Sequence, residues 1–108
     1  MANVYTNYKV DLSTNSETTV YTVPSERTAI IRSIRISNDD VDNACTVTLT
    51  LTNSSSAVFS LEKNLSIAAK TSEEILKAAL VAKESEIIKA TPQNANDLHI
   101  ILSVLEIS

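Results

Sequence analysis

His99 is the only histidine in this 108-residue chain, and Cys45 is the only cysteine. A histidine-based metal centre would need carboxylates for every other ligand. One thiol per chain allows neither an internal disulfide nor a multi-cysteine zinc site. His99 falls on the alternate face from Leu98 and Ile100, the place of a packed or surface-edge side chain rather than a catalytic base. Cys45, between Ala44 and Thr46, reads as a small buried hydrophobe. Asn38-Asp39-Asp40-Val41-Asp42-Asn43 gathers oxygens that could attract Ca²⁺. It lacks the Gly and the distal bidentate Glu of an EF-hand loop, so it reads as a turn. Glu73, Glu74, Glu84 and Glu86 could be paired for glycoside hydrolysis, but aromatic residues make up only 4% of the chain and offer little platform for a sugar. No spacing suggests a Ser-His-Asp triad. The expectation is a non-enzyme, with no catalytic residue, no cofactor and no metal.

Composition narrows the partners. Nine Lys and Arg against 13 Asp and Glu leave a net charge of −4. Nucleic acid and anionic membranes both call for a basic footprint, so neither is expected. The chain has no Gly, which excludes Gly-rich phosphate loops, dinucleotide fingerprints and G-x-S-x-G elbows. No stretch approaches the ~20 apolar residues of a membrane span. Met1-Ala2-Asn3-Val4-Tyr5 does not read as a secretory signal. The length suits one domain, which would leave ~5,900 Å² exposed once folded.

Side-chain alternation dominates the elements that must position any site. Thr46-Val47-Thr48-Leu49-Thr50-Leu51-Thr52 puts threonines on one face and Val47, Leu49 and Leu51 on the other, the period of a half-buried strand. Residues 29–37 read as another strand with Ile30, Ile34 and Ile36 inward. Arg32 shares that face, so either that end is exposed or a bulge resets the register. The Asn38–Asn43 turn would join these two strands as a hairpin. Further strands end at Pro24 and Pro92, each removing a ladder donor. In the closing segment, Leu98, Ile100, Leu102 and Val104 line one side and Ile101, Leu105 and Ile107 the other. A strand apolar on both faces implies that something packs outside it, such as another subunit.

Thr71–Lys83 reads differently. Its strong helix formers, and Thr71 with Glu74 as a capping box, locally favour an amphipathic helix. Its setting among short strands and turns favours an all-β sandwich or barrel.

Four stretches resemble small β-sandwich structural proteins of tailed bacteriophages. Thr19–Ile34 is similar to their "vYTVPaGkTAivrsI" opening, with Ser25-Glu26 in place of Ala-Gly. Ile36-Ser37-Asn38 leads into Ala44–Leu49. Leu61–Thr71 is similar to a segment ending "I-P-A-G-x-T", from which Ala68-Ala69-Lys70 departs. Asn96–Ile107 is similar to the "DvvvSyLEI" ending. The resemblance implies a single-domain antiparallel β-sandwich of jelly-roll type over 18–108, with residues 1–17 as an N-terminal arm or first strand. It also implies short strands at Glu73–Ile75 and Leu80–Val81, with a short helix within 71–85 as the alternative.

Its functional implication is a virion protein made in the host cytoplasm. Within that class the expectation is a capsid decoration (cement) protein bound to the outer head surface. Its partner would be the major capsid protein or other virion proteins, and it would form a homo-oligomer, taken as a trimer. Neck, tail or fibre components are close alternatives. The expected contact residues are Val4, Tyr5, Tyr8, Val10 and Leu12 of the first segment, tyrosine being enriched at interfaces, with Ile101, Leu105 and Ile107 of the last. A carbohydrate-binding module using Tyr5 and Tyr8 as a platform is the rival reading.

Overall fold

The computed structural model describes residues 3–108, so the Met1-Ala2 start of the segment read for a secretory signal lies outside the described residues. Among the described residues nine strands form in order: β1 Asn3–Asp11, β2 Thr18–Thr22, β3 Thr28–Asn38, β4 Cys45–Thr52, β5 Val58–Ile67, β6 Ser72–Glu74, β7 Leu80–Ala82, β8 Ile87–Pro92 and β9 Leu98–Ile107. All strand pairs are antiparallel. The larger sheet runs β1-β9-β3-β6, with β7 also on β3, and the smaller runs β2-β8-β4-β5. The chain crosses between sheets at almost every connection, which is the winding of a jelly-roll β-sandwich. The core lies between the sheets. Ile31, Ile34, Ile36, Leu98, Ile100, Leu102 and Val104 come from the larger, and Val47, Leu49, Ile88 and Ala90 from the smaller. The described fold exposes 6064 Å².

Alternation places β4 as expected, with Val47 and Leu49 inward between threonines. In β3 the Arg32 conflict is resolved by a bulge, because the register with β9 shifts between Ile31 and Ser33. The bulge corrects one assignment. Ala29 and Ile31 are the inward residues before it, so Ile30 faces outward rather than inward. The hairpin expected between β3 and β4 is also corrected, since the two strands belong to different sheets. Asn38 directs this crossing. It is 2% exposed, and its amide Nδ2 donates to the carbonyls of Asn43 (3.0 Å) and Ile67 (2.9 Å).

No helix forms among the described residues, and Thr71–Lys83 supplies β6 and β7, both paired with β3. Each covers only three residues. Helix propensity here is overridden because β3 offers an open edge whose backbone groups need partners.

Turns in a chain without glycine still use glycine's backbone region. Glu26 (φ 63°) and Lys70 (φ 62°) are left-handed, in turns closed by Arg27 N–H to the Pro24 carbonyl and Thr71 N–H to the Ala68 carbonyl. Ser56, Asn64, Ser85 and Asn96 are left-handed as well.

Candidate interaction face

The outer face of the larger sheet carries a continuous apolar row. Cross-strand register places Tyr5 of β1 opposite Leu105 of β9, Leu105 opposite Ile30 of β3, and Ile30 opposite Val81 of β7. Directly opposed residues in an antiparallel sheet project to the same face, so these four side chains form one line across four strands. Tyr5 is 69% exposed and Val81 55%, while Leu105 and Ile30 between them are half-buried. Ile107 lies two residues beyond Leu105 on the same face of β9, and Ile101 (42% exposed) lies four residues before Leu105, between Lys9 and Arg35.

The expected contact residues therefore divide. Tyr5, Ile101, Leu105 and Ile107 share the outer face. Tyr8, Val10 and Leu12 turn inward, and Leu12 is fully buried in the chain's own core, which removes it from any contact surface. Val4 has the inward parity but lies at the sheet edge, 39% exposed. Tyr5 and Tyr8 point to opposite faces, so they cannot form one sugar platform. Ile30 and Val81 were missed: the bulge reverses the parity of Ile30, and Val81 lay in the segment with competing readings.

A second group was not singled out from the sequence. Glu106 is a carboxylate only 3% exposed, held between the sheets near the Tyr5 end of the row. Its parity with Leu102 and Val104 on β9 was the available signal. Tyr21 of β2 and Tyr8 of β1 both donate hydroxyl hydrogen bonds to Glu106 Oε2, each at 2.7 Å. Arg27 Nη1 donates to Oε1 at 2.9 Å. The tyrosine rings pack at 4.5 Å between centroids and 40° between planes. Burial works to raise the Glu106 pKa, but the hydrogen bonds from Tyr21, Tyr8 and Arg27, with the Arg27 charge, outweigh it and hold the carboxyl below its usual range. Burial, then the bond to Glu106 and its charge, push Tyr8 up to about 12 and raise Tyr21 as well. This clasp ties three strands and both sheets together.

His99 is a surface-edge side chain, with Nε2 3.4 Å from Asp11 Oδ1 and Nδ1 3.1 Å from Asp39 Oδ2. The acidic run at 39–42 forms a turn. Asp40 Oδ1 accepts from the backbone N–H groups of Asp42 (2.8 Å) and Asn43 (3.1 Å), which lower its pKa. Glu74 accepts from the Ser33 hydroxyl and the Ile34 N–H (2.9 Å), securing β6 to β3.

Fold and face together define a jelly-roll β-sandwich with an apolar row on one outer surface. No family model and no curated protein matches the chain. Among solved structures, a chain in the structure of infectious bursal disease virus, Gt strain, is similar at a TM-score of 0.44 and 8% identity. The similarity covers 98% of this chain and 30% of that one, so this chain spans about a third of its length.

Proposed function

We propose that this chain is a non-enzymatic virion structural protein, a decoration protein that binds the outer capsid surface of a tailed phage. The observation that carries the reading is the Tyr5–Leu105–Ile30–Val81 row, an apolar line that crosses four strands on the outer face of the larger sheet. Contiguous exposed apolar surface of this kind marks an interaction site. Two further supports are the resemblance of four stretches within residues 18–107 to phage β-sandwich proteins and the jelly-roll winding, which capsid and lectin domains both use. The second is an argument from fold alone.

The mechanism is burial without chemistry. At about 25 cal/mol per Å², each ~100 Å² of apolar surface removed from water contributes roughly 2.5 kcal/mol. Repetition over a shell multiplies a modest contact into a large total stabilisation. The partner is the major capsid protein, and the protein acts on the particle after synthesis in the host cytoplasm. Copy number in purified particles, measured against the major shell protein by quantitative mass spectrometry, tests the reading. Comparable stoichiometry supports decoration. A small fixed number moves the protein to neck, tail or fibre, and absence from particles defeats the virion reading.

A further inference from the structure

The two sheets present four terminal strands, and three of these edges are interrupted or short. β2 has five residues and a register shift between Thr19 and Tyr21. The pairing of β5 with β4 shifts twice, and β5 carries Glu62, Lys63 and left-handed Asn64. β6 and β7 have three residues each. Short length, bulges and charge are the usual devices that stop a sheet edge from recruiting another strand. β1 lacks the first two: it runs for nine residues in unbroken register with β9, and no other described strand lies on its far side. Alternate residues of such a strand turn their N–H and C=O groups away from β9.

From this edge we infer that β1 pairs antiparallel with β1 of a second copy, about a two-fold axis at Asn7. A two-fold axis normal to the sheet pairs residues of like facing. The register centred on Asn7 is the one that uses all nine residues. It sets Asn3 opposite Asp11, Val4 opposite Val10, Tyr5 opposite Lys9 and Thr6 opposite Tyr8. No like charges meet. On the outer face each Lys9 ammonium reaches the exposed Tyr5 ring of the other copy, a favourable cation–π geometry. On the inner face Val4, 39% exposed in the single chain, meets Val10. A centre at Lys9 would instead oppose two lysines, which is destabilising. The main-chain ladder supplies affinity and the side chains set the register. Such a contact is isologous and closes at two copies, unlike the trimer implied by the phage resemblance.

The inference does not rest on the proposed virion role. Its test is sedimentation equilibrium of the full chain and of charge variants at Tyr5, whose exposure makes it tolerant of substitution. The wild type is expected to dimerise. Tyr5→Lys places two lysine pairs across the axis and raises the dimer dissociation constant by roughly ten-fold. The double variant Tyr5→Lys/Lys9→Glu restores it. Val81→Lys, which alters the outer row far from the edge, leaves the dimer intact, so loss of capsid binding and loss of dimerisation are separable. A wild type monomeric at millimolar concentration overturns the inference. So does a dimer that ignores Tyr5→Lys, that the charge swap fails to restore, or that Val81→Lys breaks.

Discussion

The hydroxyl of Tyr21 lies 2.7 Å from Oε2 of Glu106, joining β2 of one sheet to β9 of the other through the interior. Tyr8 donates to the same oxygen and Arg27 to its twin. A buried carboxylate would ordinarily be a liability in a sandwich core, and here its charge is met by three donors from separate segments.

Glu106→Gln is expected to destabilise the fold by about 2 kcal/mol. The amide cannot accept from all three donors as the carboxylate does, and hydrogen bonds to charged groups contribute roughly 1.5–3 kcal/mol. Arg27 keeps substantial solvent access, which places the loss below the roughly 3–5 kcal/mol for a fully buried broken pair. Urea denaturation reads this as a lower midpoint at unchanged slope.

The two tyrosines are expected to be coupled. Tyr8→Phe and Tyr21→Phe each leave Oε2 with one remaining donor, while the double variant leaves that buried oxygen with none. The double loss should therefore exceed the sum of the single losses by about 0.5–1 kcal/mol. A double-mutant cycle in urea measures it, and strict additivity would show that the two bonds act independently.

Stability should fall at both ends of the pH scale through this cluster. The Glu106 pKa is depressed on folding, so its contribution is present above the unfolded value of about 4.3 and lost as pH falls through the folded one. Tyr8 is raised to about 12 and Tyr21 is raised too, so their contribution is complete below about 10 and lost as pH rises from there towards 12. The stability gap between wild type and Glu106→Gln should shrink on acidification. Tyr8→Phe should flatten the alkaline limb.

Glycine at the left-handed turns should stabilise. Glu26→Gly, Lys70→Gly and Ser85→Gly each relieve a side chain from a region costing roughly 1–2 kcal/mol, offset in part by the looser unfolded chain. A net gain of about 0.5 kcal/mol apiece is expected in thermal or urea unfolding. Asn96→Gly should gain less, because asparagine tolerates this conformation better.

Ile30→Lys tests the outer row against the core. Ile30 faces outward, so the variant should fold with stability within about 1 kcal/mol of wild type while its occupancy on particles falls at least ten-fold. Were Ile30 a core residue, the same change would unfold the protein. Circular dichroism with particle binding separates the two.

Alternation by itself determined the strand character of residues 46–52 and the inward set of residues 98–104, whereas Tyr8, Val10 and Leu12, expected at a contact surface, were turned toward the core only by the folded sheet. A side chain's facing follows from its parity along an extended backbone, and that is a local property. Tertiary structure decided what parity cannot carry. A bulge at Arg32 turned Ile30 outward and so completed the apolar row. Pairing with β3 held residues 72–74 and 80–82 as strands against their helix propensity. The crossing at Asn38 separated two strands that local reading had joined, because its buried amide binds the carbonyl of Ile67, 29 positions away, as well as that of nearby Asn43. Glu106 found its donors 79, 85 and 98 positions away, a convergence that exists only once both sheets have closed on it.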